Sequence, residues 1–126
     1  MQNPKLISRA LEAKQRSYSP YSNYQVGAAL VSETGRIYVG TNVENRVNDL
    51  SICAERVALF SGIASGERKF SKIAIVGESE GYCYPCGACR QTLFEHSPEL
   101  KIVLARDIND YITRSLSELL PEPFDL

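Results

Sequence analysis

The sequence predicts an α/β fold in which a central mixed β-sheet is flanked by helices. Helical and strand-like patterns follow one another in the order αββαβαββα, which favours helices packed on the faces of one sheet. The chain has 126 residues, of which 44% are apolar, and this is enough for the core of a single domain spanning 1–126. No internal repeat, low-complexity segment or linker divides the sequence.

The first predicted element is a helix at residues 3–17. Asn3 is the expected N-cap, and Pro4 suits the first helical position because no amide donor is needed there. The spacing of the apolar residues predicts a buried stripe formed by Leu6, Ile7, Ala10 and Leu11. Residues 18–24 contain a proline and small polar residues, which indicate a loop.

A β-hairpin and a second helix follow. The hairpin strands are predicted at 25–32 and 36–43, on either side of the turn sequence "ETG". The polar segment 44–50 is predicted to be irregular, and the helix at 51–67 is expected to stop at Gly66. The apolar face of this helix is predicted to consist of Val57, Phe60 and Ala64.

The C-terminal half supplies the remaining elements. A buried strand is predicted at 70–78 and a third helix at 85–97, beginning near Pro85. Two further strands and a short last helix are predicted at 101–105, 111–113 and 115–121. Ser115 and Glu118 form a capping-box pattern at the start of that last helix.

Charge and hydropathy argue against several classes of function. The formal net charge is −1 and no run of Lys or Arg exceeds two, so a basic nucleic-acid-binding face is not expected. Charged side chains interrupt the first sixteen residues, which excludes a secretory signal there. No apolar stretch approaches the roughly 20 residues that span a bilayer. The sequence therefore predicts a cytoplasmic protein with neither a membrane nor a nucleic-acid partner.

Four cysteines form a candidate metal site. Cys83, Cys86 and Cys89 are spaced three apart in "CYPCGACRQ", and Cys53 lies upstream. In a reducing cytosol, such a cluster is more typical of metal binding than of disulfides. Cys53, Cys86 and Cys89 fall at predicted helix starts, where the helix dipole stabilises thiolates. Three thiolates would bind tetrahedral zinc and leave one position for water, whereas a fourth from Cys83 would close a structural site.

Glu55 favours the open, catalytic form of this site. It lies in the same first helical turn as Cys53, and its carboxylate can transfer protons at the fourth zinc position without being a ligand. A closed four-cysteine site has no use for that carboxylate, and a redox C-x-x-C pair leaves both Cys53 and Glu55 without a role. His96, the only histidine, is expected to be a helix-end residue rather than a ligand.

The pairing of Cys-Ala-Glu with Pro-Cys-Gly-Ala-Cys resembles the zinc-dependent deaminases. The resemblance extends through most of the chain, since "YSNYQVGAAL", "TNVEN", "ICAER", "PCGACRQ" and "ELLPEPF" are similar, in order and spacing, to the cytidine deaminase family of the small nucleoside type. It implies an α/β three-layer cytidine-deaminase-like fold with a mixed five-stranded sheet. It also implies hydrolytic deamination of cytidine or deoxycytidine to uridine or deoxyuridine plus ammonia, in pyrimidine salvage.

The resemblance assigns roles to the residues of the cysteine motifs. It implies that one Zn²⁺ per chain is bound by Cys53, Cys86 and Cys89. Glu55 is then the catalytic proton carrier, and Arg56 offsets the charge of the thiolates. An ordinary surface arginine is the alternative for Arg56.

Substrate contacts follow from the same resemblance. Asn42 and Glu44 lie two apart at a strand end, so their side chains face the same side, and in the family this pair binds the ribose. Tyr24 is implied to stack on the base, and the amide of Ala54 to contact the base edge. Phe124 is implied to reach a neighbouring subunit's base site, which predicts a homotetramer. The alternative for Phe124 is an aromatic residue that covers the core.

Two departures from the family pattern concern the substrate. Tyr24 stands where the family usually has Phe, and its added hydroxyl needs a partner. Arg46, Val47 and Asn48 replace an alanine, a small residue and an aromatic residue near the sugar's 5′ end. One hypothesis is a modified or 5′-substituted cytidine, such as a 5′-phosphate bound by Arg46, or another aminated heterocycle. The other is a solvated loop charge that leaves activity on cytidine intact.

Two further classes of function stay open at the level of the sequence. A polynucleotide deaminase would need basic or stacking surfaces along a channel, which the near-neutral charge and the Asn42–Glu44 pair disfavour. A non-enzymatic zinc-stabilised module would unfold when its metal is removed and would not need Glu55.

Overall fold

The computed structural model describes residues 1–78 and 80–125, and over these ranges five strands form a single sheet. The strands are β1 (Gly27–Ser32), β2 (Ile37–Thr41), β3 (Phe70–Val76), β4 (Lys101–Asp107) and β5 (Asp110–Ser115). The helices are α1 (Asn3–Lys14), α2 (Ala54–Ala64), α3 (Gly87–His96) and α4 (Leu116–Leu119), with a 3-10 turn at Asn48–Leu50. None of the helices in this part of the chain has the length and apolarity that a membrane span requires.

The sheet is mixed, as the sequence predicts. Its strand order is β2-β1-β3-β4-β5, and only the β3–β4 pair is parallel among these neighbours. A parallel pair needs a crossover connection, and the segment that contains α3 supplies it. The loop that carries the cysteine motif therefore lies between the end of β3 and the start of α3.

Helices cover both faces of the sheet and make three layers, which confirms the predicted fold class. Successive strand residues point to opposite faces, so Ala29 and Val31 of β1 pack beneath α1 while Ala28 and Leu30 face the other helices. On the α1 face the buried helix residues are Leu6, Ile7, Ala10 and Ala13. On the opposite face, α2 and α3 bury Leu59 and Leu93 against the sheet.

The start of α1 differs from the prediction. The N-cap is Gln2, so Asn3 is the first helical residue and Pro4 the second. The Asn3 Oδ1 instead accepts a hydrogen bond from the Lys72 ammonium of β3, at 2.7 Å. The predicted apolar stripe is otherwise buried, with Leu11 only partly covered.

The predicted apolar face of α2 is wrong. Phe60 is 46% exposed, Ala64 is exposed and Val57 is half-buried. The residues that α2 buries are Ala54, Glu55, Ala58, Leu59 and Gly62. Small side chains face the sheet because the helix backbone lies directly on β2: a Cβ at Gly40 would sit 2.3 Å from the Ala54 carbonyl oxygen.

Several observed element boundaries also differ from the predicted ones. α2 is shorter than 51–67, and Gly66 stops it as predicted, with a φ of +102° that favours glycine. α3 begins at Gly87 rather than near Pro85, with Cys86 as its N-cap. β5 extends beyond 111–113, and the predicted capping box of α4 is present.

Candidate metal centre and active site

The N-termini of α2 and α3 bring three cysteine sulfurs together. Cys53 is the N-cap of α2, Cys86 is the N-cap of α3, and Cys89 lies in the first turn of α3. Their Sγ atoms all lie within 4.8 Å of one another. Cys86 Sγ also accepts a hydrogen bond from the Cys89 amide at 3.4 Å. The structure thus assembles the three cysteines that the sequence predicts as metal ligands.

The spacing of these sulfurs fits a zinc ion. A zinc–sulfur bond of about 2.3 Å places two ligands of a tetrahedral ion about 3.8 Å apart. The Sγ atoms of Cys53 and Cys86 are 3.8 Å apart. Each also sits at a helix N-terminus, whose partial positive charge favours the thiolate form that zinc requires.

Cys83 is not part of the three-sulfur group that the described residues form. It lies in the loop before α3 and is half-buried. The closed four-cysteine site, which the sequence leaves open, is therefore not supported. Three protein ligands and one open position are typical of catalytic zinc.

Hydrogen bonds around Cys53 favour its thiolate. The Cys89 thiol is the strongest influence, and together with the Arg56 guanidinium it lowers the pKa of Cys53 to about 5. The same contact, with burial, raises the pKa of Cys89. Arg56 Nη2 donates to Cys53 Sγ at 3.5 Å, and the buried Arg56 Nε has no hydrogen-bond partner among the described residues. Arg56 is thus not the surface arginine of the alternative interpretation.

Glu55 is a buried carboxyl beside the sulfurs. It lies in the first turn of α2 and is only 4% exposed. The pKa of Glu55 is raised to about 7: burial is the largest cause, the charge of Cys53 adds to it, and hydrogen bonds from its own amide and from Cys89 partly oppose it. A carboxyl that titrates near neutral pH can both accept and donate a proton.

A profile of the cytidine and deoxycytidylate deaminase zinc-binding region matches residues 1–105. The chain belongs to this deaminase family. The cytidine deaminase of Sporosarcina psychrophila is 40% identical over 121 residues, which cover 95% of this chain and 89% of that protein. The cytidine deaminase of Halalkalibacterium halodurans is 41% identical over 125 residues, covering 98% and 95%. The crystal structure of cytidine deaminase from Burkholderia pseudomallei superimposes with a TM-score of 0.94 at 46% identity, covering 98% of this chain and 100% of that one.

In this deaminase, the Asn42 side chain ties the end of β2 to the preceding loop. Its Nδ2 donates to the Tyr24 carbonyl at 2.7 Å, and its Oδ1 accepts from the Val26 amide at 2.9 Å. The Ser17 hydroxyl donates to the same oxygen. Asn42 therefore fixes the backbone on both sides of Gln25, which the sequence motif did not predict.

Glu44 faces the same loop as Asn42, as the spacing predicts. Its carboxylate accepts from the amides of Tyr21 and Ser22, at 3.0 and 3.2 Å, and from the Ser22 hydroxyl. The Ser22 hydroxyl is the main cause that lowers the pKa of Glu44. The carboxylate borders a cavity of about 390 Å³, whose lining residues are Tyr21, Ser22, Glu44, Asn45, Asn48 and Ser51.

The remaining predicted substrate residues differ in their burial. Ala54 directly follows Cys53 and is fully buried, and Tyr24 is half-buried. Phe124 is 72% exposed, so it is not an aromatic that covers the core. The departing segment of Arg46, Val47 and Asn48 is exposed throughout.

Two contacts near the site were not predicted from the sequence. The Gln91 side-chain amide pairs with the backbone of Phe124, accepting from its N–H at 3.1 Å and donating to its carbonyl at 2.9 Å. Arg90 donates to the carbonyls of Pro85 and Leu119, at 2.8 and 2.7 Å. The only sequence signal was their position directly after Cys89, which says nothing about partners as distant as Leu119 and Phe124.

Proposed function

We propose that the protein catalyses the hydrolytic deamination of cytidine and deoxycytidine to uridine and deoxyuridine, with release of ammonia. The observation that carries the proposal is the buried Glu55 carboxyl beside a group of three cysteine sulfurs that could hold a zinc ion. The relatives named cytidine deaminase, which align over nearly the whole chain, support the same substrate class.

The reaction needs two proton transfers that Glu55 is placed to make. A bound zinc ion supplies a Lewis acid that activates water. The water oxygen bonds to C4 of the pyrimidine, and the bond from C4 to the amino nitrogen breaks. Glu55 takes one proton from water and delivers it to ring N3. It then takes the second proton from the same oxygen, now bonded to C4, and delivers it to the amino group, which leaves as ammonia while C4 becomes a carbonyl. A pKa near 7 suits a group that must act as base and then as acid.

The roles proposed for the other residues are supported by the resemblance to the cytidine deaminase family and, for Arg56, by its contact with Cys53. Arg56 offsets the net negative charge that three thiolates leave on a bound zinc ion, because its guanidinium donates to Cys53. Asn42 and Glu44 bind the ribose, Tyr24 forms an aromatic wall beside the base, and the Ala54 amide contacts the base edge. Phe124 completes the base site of a neighbouring subunit.

The decisive experiment follows loss of the ultraviolet absorbance of cytidine and deoxycytidine with zinc-loaded protein. We expect wild type to convert both, and Glu55→Gln to lose about 10²–10⁴-fold in rate while retaining its zinc. The matched control is Glu33→Gln, at an exposed position of the hairpin turn, which should match wild type. Folded, zinc-replete wild type that converts neither nucleoside would overturn the proposal, as would full activity in Glu55→Gln.

A 5′-substituted substrate is not favoured by the comparisons, but Arg46 allows a direct test. We expect Arg46→Ala to leave unchanged the ratio of activity on cytidine to activity on its 5′-monophosphate, because the Arg46 side chain is exposed. A selective loss of activity on the monophosphate would show instead that Arg46 binds a phosphate.

We also propose that the chain forms a homotetramer with shared active sites. Phe124 supports this, since its ring is exposed while both of its backbone groups are held by Gln91. The exposed Phe60 of α2 is a second large apolar side chain available for an interface. Light scattering of the purified protein should give four times the chain mass, and a monomer would contradict the proposal.

A cytoplasmic role in pyrimidine salvage, carried out by residues 1–126 as one domain, completes the proposal. It is supported by the four free cysteines, because thiolate ligands persist in a reducing compartment.

A further inference from the structure

The Tyr24 hydroxyl and Cys83 converge on Gly77, the residue that follows β3. A Cβ at Gly77 would lie 2.6 Å from Tyr24 Oη, 2.8 Å from Cys83 Cβ and 3.0 Å from Cys83 Sγ. Real Cβ atoms essentially never come so close to other atoms, so glycine is the residue that admits this arrangement. The extra hydroxyl of Tyr24 thus lies at a point where the loop before α3 meets the end of β3.

The Tyr24 hydroxyl and the Cys83 side chain thus meet at one place beside Gly77. Burial raises the pKa of the Cys83 thiol, and hydrogen bonding from Tyr24 opposes that rise. The Cys83 side chain is half-buried and packs against the core. Tyr24 is also fixed at its backbone, where its carbonyl accepts from Asn42 at 2.7 Å and its amide donates to Ser22 Oγ at 3.0 Å. The ring therefore spans from the proposed sugar side of the site to the cysteine loop.

Cys83 does not join the metal group. Burial is the main cause that raises the pKa of its thiol, and the charge of Glu55 adds to it. The three sulfurs that lie together are those of Cys53, Cys86 and Cys89. Cys83 thus lies outside the three-sulfur group and beside the Tyr24 hydroxyl at Gly77.

We propose that Cys83 is a positioning residue, which holds the Tyr24 ring through its hydroxyl and so sets the aromatic wall of the nucleoside site. The proposal rests on the proposed function and deepens it. It gives a role to Cys83, the fourth cysteine, which the metal group does not use. It also gives a role to the hydroxyl of Tyr24, which stands where the family usually has phenylalanine. In this chain the two residues act as a pair.

A double-mutant cycle tests the pair. Tyr24→Phe removes the hydroxyl, and Cys83→Val keeps a similar volume without a hydrogen-bonding atom. We expect each variant to raise the KM for cytidine about 2–10-fold, the range of one hydrogen bond, with kcat nearly unchanged. The double variant should be no worse than the poorer single variant, because both remove the same contact. Cys83→Ser, which can still accept from Tyr24, should restore a KM close to wild type.

Urea unfolding of the same zinc-loaded variants supplies a readout independent of activity. If the double variant loses less stability than the sum of the two single variants, the contact is established, even in a protein that failed to act on cytidine. Coupling in unfolding with an unchanged KM would overturn the positioning role and leave a structural contact. Additive effects in both measurements would overturn the pair altogether. Failure of wild type to convert either nucleoside would overturn the proposed function, and the positioning role with it.

Discussion

The Sγ atoms of Cys53 and Cys86 lie 3.8 Å apart, although the two residues are separated by 33 positions in the chain. Each is the N-cap of its helix, and α2 and α3 pack on the same face of the sheet. The relative positions of these sulfurs therefore depend on how α2 and α3 pack against the sheet. Substitutions far from the sulfurs should disturb it when they lift a helix from the sheet.

Gly40→Ala is the sharpest test of this dependence. The added Cβ would lie 2.3 Å from the Ala54 carbonyl and 2.5 Å from the Ala58 amide, both in the backbone of α2. The helix must shift, and it carries Cys53 and Glu55 with it. We expect a loss of about 1–3 kcal/mol in the free energy of unfolding, together with weaker zinc binding, measured by urea unfolding and chelator competition.

The matched control for Gly40→Ala is Gly81→Ala. A Cβ at Gly81 meets no atom within 4 Å, so stability should stay within about 0.5 kcal/mol of wild type. Equal stability in the two variants would show that α2 does not depend on close contact with β2.

Zinc stoichiometry distinguishes Cys83 from the ligands. We expect Cys83→Ser to retain one bound zinc per chain, because its sulfur lies outside the group of Cys53, Cys86 and Cys89. We expect Cys86→Ser to lose the bound zinc, since this substitution removes one of three ligands. Zinc content of the dialysed proteins, measured by atomic absorption, decides between them. An equal loss in both variants would restore the closed four-cysteine site.

Arg56→Gln tests the charge balance at the thiolates. The guanidinium donates to Cys53 Sγ at 3.5 Å, and groups that hydrogen-bond to metal ligands typically contribute 10–100-fold in metal affinity. We therefore expect zinc affinity to fall by about that factor, measured by chelator competition at fixed pH. Arg16→Gln, an exposed arginine outside the site, is the control. Unchanged zinc affinity in Arg56→Gln would show that Arg56 does not contribute to zinc binding.

The three-cysteine group could be predicted from the sequence because each of its two halves, Cys53 with Glu55 and Cys86 with Cys89, has a local helix-start geometry. A cysteine at a helix start points its sulfur past the helix N-terminus, so the spacing of Cys86 and Cys89 fixes their relative positions. Glu55 follows Cys53 within one turn for the same reason. The mixed sheet also follows from the order of the elements, since a strand–helix–strand unit gives the parallel pair.

The seating of α2 could not be predicted, because hydrophobic periodicity gives little weight to glycine and alanine. Val57 and Phe60 are the apolar residues that such a pattern selects, yet the backbone approach at Gly40 buries the small-residue face instead. The contact of Tyr24 with Cys83 and that of Gln91 with Phe124 are also beyond sequence patterns. Both join residues distant in the chain, and neither pair has a periodic signal.

A buried carboxylate away from the site gives a prediction about pH. Glu67 Oε2 accepts hydrogen bonds from the hydroxyls of Ser32, Thr34 and Tyr38, at 2.9, 2.7 and 2.9 Å. These bonds, the one from Thr34 foremost, hold the pKa of Glu67 below its usual range. A carboxyl whose pKa is lowered by folding stabilises the native state above the unfolded-state pKa of about 4.3. That stability is lost as the pH falls through the native pKa.

Glu67→Gln should therefore destabilise the protein at pH 7, and the difference from wild type should shrink as the pH falls below about 4. Urea unfolding of both proteins across this range measures it. Zinc release at low pH affects both alike and cancels in the difference. Tyr38→Phe, which removes one of the three donors, should flatten the pH dependence only in part. If the difference in the free energy of unfolding between wild type and Glu67→Gln stays constant with pH, the charge of Glu67 does not contribute to stability. The network would then stabilise the protein through packing and neutral hydrogen bonds only.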